Sequence, residues 1–248
     1  MNLIQSIQQR KEEKVVPIIA DIKRLIPKLV TEKGMRQDKR DAGMLATLYY
    51  KGGVAGVSLV TERSHFGGQP EIDIPAVLTS VPSPLLIKDF ILSQDTIDFY
   101  AKLVGKEAAG RVTLLLHAHL LEGNLKAMVH HIHKKGMLAL IETRGVDDLH
   151  YFPTLDEVPK LIGINNKDID DLERGEDKLR LNPGLVSKYR QVIDGSVLIS
   201  ESGHHTPQDV RHSIQAGADA VLAGTVFMLS SDPTATVNNF VNALKGER

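Results

Sequence analysis

Eight short runs of almost uninterrupted apolar residues punctuate the chain: Val15 to Ala20, Gly56 to Val60, Leu85 to Lys88, Val112 to Leu116, Leu138 to Glu142, Leu161 to Asn165, Val197 to Ser200 and Ala220 to Ala223. A strand with one wet face alternates apolar and polar residues, whereas a parallel strand covered on both faces reads as continuous hydrophobe, and these runs are of the second kind. Between them lie segments with helical patterning: Asp38 to Lys51, Ile72 to Ser80, Gln94 to Gly105, Asn124 to Lys135, a short weak one at Val146 to Tyr151, Pro183 to Gln191, Pro207 to Gly217 and Pro233 to Lys245. Pro207 and Pro233 stand where a first helical turn tolerates proline, and Thr206 and Asp232 before them are suitable N-caps. Strand and helix alternate eight times, which predicts an α/β fold, a (β/α)8 barrel. The length of 248 residues fits one such domain over 1–248, with residues 1–14 as a short amphipathic helical extension covering the barrel bottom or rim.

The longest stretch without periodicity, Arg24 to Gln37, follows the first run and carries Arg24, Lys28, Lys33 and Arg36, as a mobile lid or binding loop would. A formal net charge of −1 gives no reason to expect a nucleic acid or an anionic membrane as partner. Cysteine is absent, which excludes disulfides and thiol chemistry. The N-terminal segment is too polar for a signal peptide, and no apolar run approaches the roughly 18 residues of a membrane span. The expectation is a soluble cytoplasmic protein, monomer or homodimer, acting on a small molecule.

Several strand runs end in residues able to do chemistry. Asp21 and Lys23 follow the first, Lys88 ends the third and Glu142 the fifth, so in a closed barrel they surround one mouth. A lysine beside a carboxylate and an apolar wall can supply an acid and a base, although Asp21 and Lys23 taken alone read equally well as a rim ion pair. Ser202-Gly203 and Gly224-Thr225 follow the seventh and eighth runs, each ahead of a helical segment. Glycine there lets backbone N–H groups approach a phosphate, and barrels frequently bind phosphate with these two loops. Asn165 and Asn166 end the sixth run, where an amide can orient a hydroxyl or simply make a turn. His117 and His119 stand two apart and point the same way if the chain stays extended, while His204-His205 follow the glycine at 203. No full metal-ligand set shows among the histidines, and His130, His131 and His133 read as a solvated helix face.

These motifs resemble the indole-3-glycerol phosphate synthase family over nearly the whole chain from about Pro17. The resemblance is carried by Ile18 to Arg24 (IIADIKR), Gly56 to Gly68 (GVSLVTERSHFGG), Leu85 to Ile91 (LLIKDFI), Gly136 to Glu142 (GMLALIE), Ile162 to Asn166 (IGINN), Ser200 to Gly203 (SESG) and Gly217 to Gly224 (GADAVLAG). It implies a carbon-carbon lyase of tryptophan biosynthesis that closes 1-(2-carboxyphenylamino)-1-deoxyribulose 5-phosphate to an indole with loss of carbon dioxide and water, using no metal or organic cofactor. By this resemblance Lys88 is the general acid at the ketone, and Glu142 is the proton acceptor or relay in dehydration. Lys23, beside Asp21, assists dehydration and contacts phosphate. Asn165 and Ser202 hold sugar hydroxyls, Phe90 packs on the aromatic ring, and Gly203, His204, Gly224 and Thr225 bind phosphate.

The chain also departs from the family pattern. Asp21 replaces a glutamate, Ile26-Pro27-Lys28 replaces Ser-Pro-Ser, and Lys167 replaces an arginine that grips the aryl carboxylate. His117 and His119 stand where apolar residues line the aryl pocket, His204 replaces an isoleucine, and the family's long N-terminal extension is cut to one short segment. Lys167 and His117 are thereby assigned to substrate binding. Two alternatives stay open on these departures: an enzyme of the same fold acting on another phosphosugar-derived substrate, and a non-catalytic barrel that binds a phosphorylated metabolite.

Overall fold

A computed structural model describes residues 1–167, 169–172, 174 and 179–245; the end of the expected 1–248 span lies outside the described residues. The chain begins with helix α1 (Leu3–Glu12), capped by Asn2 and Gln5 in a reciprocal capping box. There follow β1 (Ile18–Ile22), α2 (Pro27–Lys33), α3 (Ala42–Gly52), β2 (Gly56–Val60), α4 (Pro70–Ser80), β3 (Leu85–Lys88), α5 (Gln94–Ala109) and β4 (Val112–His117). A 3-10 turn (Ala118–Leu121) leads to α6 (Leu125–Lys134) and β5 (Leu138–Thr143), and a longer 3-10 segment (Val146–Thr154) leads to β6 (Leu161–Asn165). Then come α7 (Pro183–Val192), β7 (Val197–Glu201), α8 (Pro207–Gln215), β8 (Ala220–Ala223), the one-turn α9 (Thr225–Met228) and α10 (Pro233–Val241). The eight strands pair in chain order, all parallel, and β8 closes on β1. This is the expected (β/α)8 barrel.

The side-chain period of a strand divides each one between two cores. Outward residues such as Ile18, Ala20, Val57, Leu114 and Ile162 pack under the helices with Tyr49, Tyr100, Tyr189 and Phe240. Inward residues build the barrel interior, where Ile19, Leu86, Leu140 and Ile199 from the four odd-numbered strands form a dry layer with Leu115 and Leu161. Leu3 and Ile7 of α1 join that layer from below, and Ser6 Oγ donates to Ala55 O at 2.6 Å. Helix α1 therefore plugs the bottom of the barrel. Two residues further along the same four strands the interior becomes charged: Asp21, Lys88, Glu142 and Glu201, all buried. One layer supplies cohesion and the next supplies chemistry.

Most element positions agree with the sequence pattern, including the caps at Thr206 and Asp232, whose side chains accept from the N–H groups of Asp209 and Ala235. Three corrections have physical causes. Strand β1 begins at Ile18 and contains Asp21, because a polar inward residue near the mouth belongs to the strand as well as any hydrophobe does. The region read as an unstructured loop holds α2, with Pro27 in its first turn and Gly34 closing it at φ 62°. Its N-cap is Ile26, which makes no side-chain cap and so gave no starting signal. Arg24 is no part of a mobile basic face: it is buried, paired with Asp73 of α4, and donates to the carbonyls of Asp38 (2.9 Å) and Arg40 (2.6 Å).

Candidate active site

Lys88 ends β3 with its ammonium between two buried carboxylates: Glu201 Oε2 of β7 at 2.9 Å and Glu142 Oε2 of β5 at 3.7 Å. Glu142 Oε1 meets His117 Nδ1 of β4 at 2.9 Å. Glu201 stands one residue beyond the apolar run Val197 to Ser200 and directly before Ser202-Gly203, so the end of the run hides it. Its signal was nevertheless present. Glu201 lies two residues beyond Ile199, as Glu142 lies two beyond Leu140 and Lys88 two beyond Leu86. Gly163 on neighbouring β6 makes room for it, because a Cβ at 163 would stand 1.8 Å from Glu201 Oε1.

Burial opposes the charge on both carboxylates, yet they respond differently. Against that opposition, the charge and hydrogen bond of His117, followed by the charge of Lys88, hold the Glu142 carboxyl well below its usual range. Burial dominates at Glu201; Lys88 only partly offsets it and the negative Glu142 adds to it, so its carboxyl is pushed up to about 8. One ionised and one protonated carboxyl beside a lysine is the arrangement from which acid and base assignments follow. Glu142 Oε2, Glu201 Oε1 and Asn165 Nδ2 are buried and make no hydrogen bond among the described residues, so each still has capacity for polar groups of a ligand.

On one side of this cluster lies an apolar pocket lined by Val60, Phe66, Phe90, Ile169 and His117, with Lys23, Lys88, Glu62 and Asp89 at its polar edges. Phe90 stacks obliquely on His117 with ring centroids 5.4 Å apart. Phe66 and Ile169 carry no local signal in the sequence, because both come from loops whose path is set only by the fold. On the other side, Ser202, Gly203, Gly224 and Thr225 line a polar recess with Asp21, Lys23, Lys167 and His205. Ser202 and Gly203 are consecutive left-handed residues, with φ 64° and 78°. Such a turn can aim neighbouring N–H groups into one concavity, and strain of this kind at a non-glycine residue is characteristic of binding loops. Asn166 pins it: Nδ2 donates to Glu201 O (2.9 Å) and Ser202 O (3.1 Å), while Oδ1 accepts from Arg180 N (2.8 Å). Asn166 is thus a structural fastener and Asn165 the inward-facing amide.

Lys23 lines both the pocket and the recess, with Nζ 3.2 Å from Asp21 Oδ2 and 5.8 Å from the Phe66 ring centroid. The Asp21–Lys23 pair is buried, so it is no exposed rim pair. Three other residues singled out in the sequence take definite places. Lys167 sits on the wall of the polar recess with Asp21 and Ser202, not on the wall of the apolar pocket. The His204 imidazole is turned into the protein, with Nε2 at 2.8 Å from Ser213 Oγ and 3.3 Å from Ser200 Oγ, which leaves its backbone to face a ligand. After His117 the chain coils into a 3-10 turn, so His119 takes a separate partner, Asp170 Oδ1 at 2.9 Å. Of the helix α6 histidines, His130 and His133 are exposed, while His131 pairs with Asp98 at 2.7 Å. Among the described residues no group of three or more histidine or acidic side chains could hold a metal ion, and no helix is long and apolar enough to cross a membrane.

A barrel with a polar recess, an apolar pocket and a buried cluster of a lysine and two carboxylates between them belongs to the class of barrel enzymes that act on phosphorylated small molecules. Sequence comparison narrows the class. A family model described as indole-3-glycerol phosphate synthase matches residues 1–240, and the chain belongs to that family. It is 33% identical over 233 residues to the indole-3-glycerol phosphate synthase of Beutenbergia cavernae, covering 94% of this chain and 80% of that one. It is 35% identical over 224 residues to that of Rippkaea orientalis, covering 90% and 72%, and 32% identical over 234 residues to that of Carboxydothermus hydrogenoformans, covering 94% and 82%. The family's reaction is a decarboxylating ring closure in tryptophan biosynthesis, a carbon-carbon lyase chemistry.

Proposed function

We propose that this protein closes 1-(2-carboxyphenylamino)-1-deoxyribulose 5-phosphate to indole-3-glycerol phosphate, with the phosphate in the recess beside Gly203, Gly224 and Thr225 and the aryl group in the pocket of Phe66 and Phe90. The observation that carries the reading is the Lys88 ammonium, buried between two carboxylates and between the two halves of the cleft. The ring carbon bearing the carboxylate attacks the ketone carbon, a C–C bond forms, and the ketone oxygen takes a proton from Lys88. The carboxylate leaves as carbon dioxide, and the electrons of its broken bond restore the aromatic ring. The new hydroxyl then takes a proton from Lys23 and departs as water, while the adjacent carbon next to nitrogen gives a proton to Glu142. Glu201, in contact with Lys88, holds the ammonium in place and returns its proton between turnovers. Asn165 and Ser202 bind sugar hydroxyls, and Lys167 adds positive charge at the phosphate end.

The test is a fluorescence assay for indole-3-glycerol phosphate on the purified protein. Lys88→Met should lower turnover roughly 100-fold to 10,000-fold, the range for lost acid-base catalysis, with KM changed far less. Turnover near wild type in that variant would remove Lys88 from the mechanism. Failure of the wild-type protein to turn over this substrate, with a phosphorylated analogue still bound, would favour another phosphosugar-derived substrate.

A further inference from the structure

The proposed reaction gives no task to His117, a buried group of the site. His117 closes β4 with 5% of its surface exposed, meets Glu142 Oε1 through Nδ1 at 2.9 Å, and rests against the ring of Phe90. An imidazole whose Nδ1 is held this way cannot rotate without breaking the contact, so the pair fixes the rotation of both partners. It also fixes which carboxylate oxygen turns toward Lys88: Oε1 is taken by His117, and Oε2 is the atom 3.7 Å from the ammonium.

Charge gives a second argument. Glu142, Glu201 and Lys88 form a buried trio of two potential anions and one cation. Burial disfavours the Glu142 carboxylate, and Lys88 stands nearer to Glu201 (2.9 Å) than to Glu142 (3.7 Å), so a basic group in direct contact with Glu142 favours its ionised form. Among the described residues, the charged and titratable groups around the pair are Asp21 and Lys23 from β1, Glu62 after β2, Lys88 and Asp89 from the end of β3, His119 in the turn after β4, Glu201 from β7, and Asp170 after β6. Lys23 is paired with Asp21, and His119 with Asp170. His117 is the basic group in hydrogen-bond contact with Glu142.

We propose that His117 is a positioning residue for the ring closure: its ring clamps Glu142 Oε1 and favours the Glu142 carboxylate, so that Oε2 is directed at the reaction. This rests on the reading of Glu142 as proton acceptor. It makes the acid limb of the reaction a property of the His117–Glu142 pair and not of Glu142 alone.

Two variants separate position from charge. Asparagine reproduces an N–H donor close to the position of Nδ1 but carries no charge, whereas leucine fills similar volume and supplies neither. In His117→Leu, kcat should fall roughly 10-fold to 100-fold, the cost of a loosened catalytic group, with KM within about threefold of wild type. The acid limb of its kcat/KM profile should move up by about one pH unit or more, because an opposite charge beside the carboxyl has been lost. His117→Asn should recover part of kcat while keeping the displaced acid limb. Titration of 13C-glutamate-labelled protein by NMR, with the Glu142 signal assigned through Glu142→Gln, gives the same shift without reference to any substrate. Wild-type kcat and pH profile in His117→Leu would overturn the proposal, as would a raised KM at unchanged kcat, which would make His117 a substrate contact. Full turnover in Glu142→Gln would instead overturn the role given to Glu142. Should His117→Leu not fold, the displaced acid limb and the NMR titration of His117→Asn decide the matter.

Discussion

Gly163 shows how a residue can matter to catalysis by having no side chain. A Cβ there would overlap Glu201 Oε1 at 1.8 Å, and Glu201 is held by Lys88 in a buried layer with little room to retreat. Gly163→Ala is therefore expected to push Glu201 off Lys88 and lower kcat by roughly 100-fold, as a displacement of about 1 Å can, with substrate affinity much less affected. Steady-state kinetics, with circular dichroism to establish folding, checks this; wild-type kcat would mean that Glu201 has another place to go. His204 makes a different residue-scale prediction. Burial holds it neutral and lowers its pKa to about 4, so between that value and about 6.5 the unfolded chain binds a proton that the folded one refuses. Stability from this residue is complete above pH 6.5 and declines as pH falls to about 4, by on the order of 3 kcal/mol in all. Urea unfolding at pH 7 and pH 4.5 should show a smaller acid loss in His204→Ile than in wild type.

At the scale of elements, α1 is short, yet Leu3 and Ile7 are 1% and 0% exposed because they complete the lowest interior layer of the barrel. Leu3→Ala should cost about 2–5 kcal/mol, the usual range for a buried leucine, and leave kcat near wild type in the folded fraction. An unchanged urea midpoint would show that α1 does not seal the barrel. Helix α2 poses a competition. Ile26→Ser would provide the missing N-cap, worth about 0.5–2 kcal/mol, but would give up a buried isoleucine worth about 1.5–3 kcal/mol. Loss of burial wins, so the variant should be less stable by about 1 kcal/mol despite its better cap. Legibility at this scale followed the strength of local signals. Helices α8 and α10, with proline in the first turn and Thr206 or Asp232 before it, were readable; α2, with Ile26 at its N-cap, and α9, one turn long, were not.

For the whole molecule, closure of the barrel brings β1, β7 and β8 together and so builds one polar recess from segments nearly two hundred residues apart in the chain. A phosphorylated ligand spanning the recess and the pocket selects the folded state, so a reduced substrate analogue at about 100 times its Kd should add roughly 2.7 kcal/mol of stability and raise Tm. Gly224→Val should remove most of that gain, because a Cβ at 224 would lie 2.8 Å from the Cβ of Asp21 and narrow the recess. A wild-type response to the analogue in this variant would move the phosphate elsewhere.

The sequence by itself determined the repeat, the barrel, the placing of Lys23, Lys88, Glu142 and the glycines at 203 and 224 at strand ends, and, through its motifs, the resemblance to the family. The first three follow from local facts: apolar runs of strand length, caps, and polar residues at strand ends. Tertiary structure alone decided which of those residues meet. The pairing of Lys88 with Glu201 across the barrel, the grip of His117 on Glu142, the turning of His204 into the core, the shift of Lys167 to the polar recess and the arrival of Phe66 and Ile169 at the pocket all depend on side-chain directions and loop paths. The period of two along a strand tells which residues face inward, but only strand tilt and closure tell which inward residues stand opposite one another.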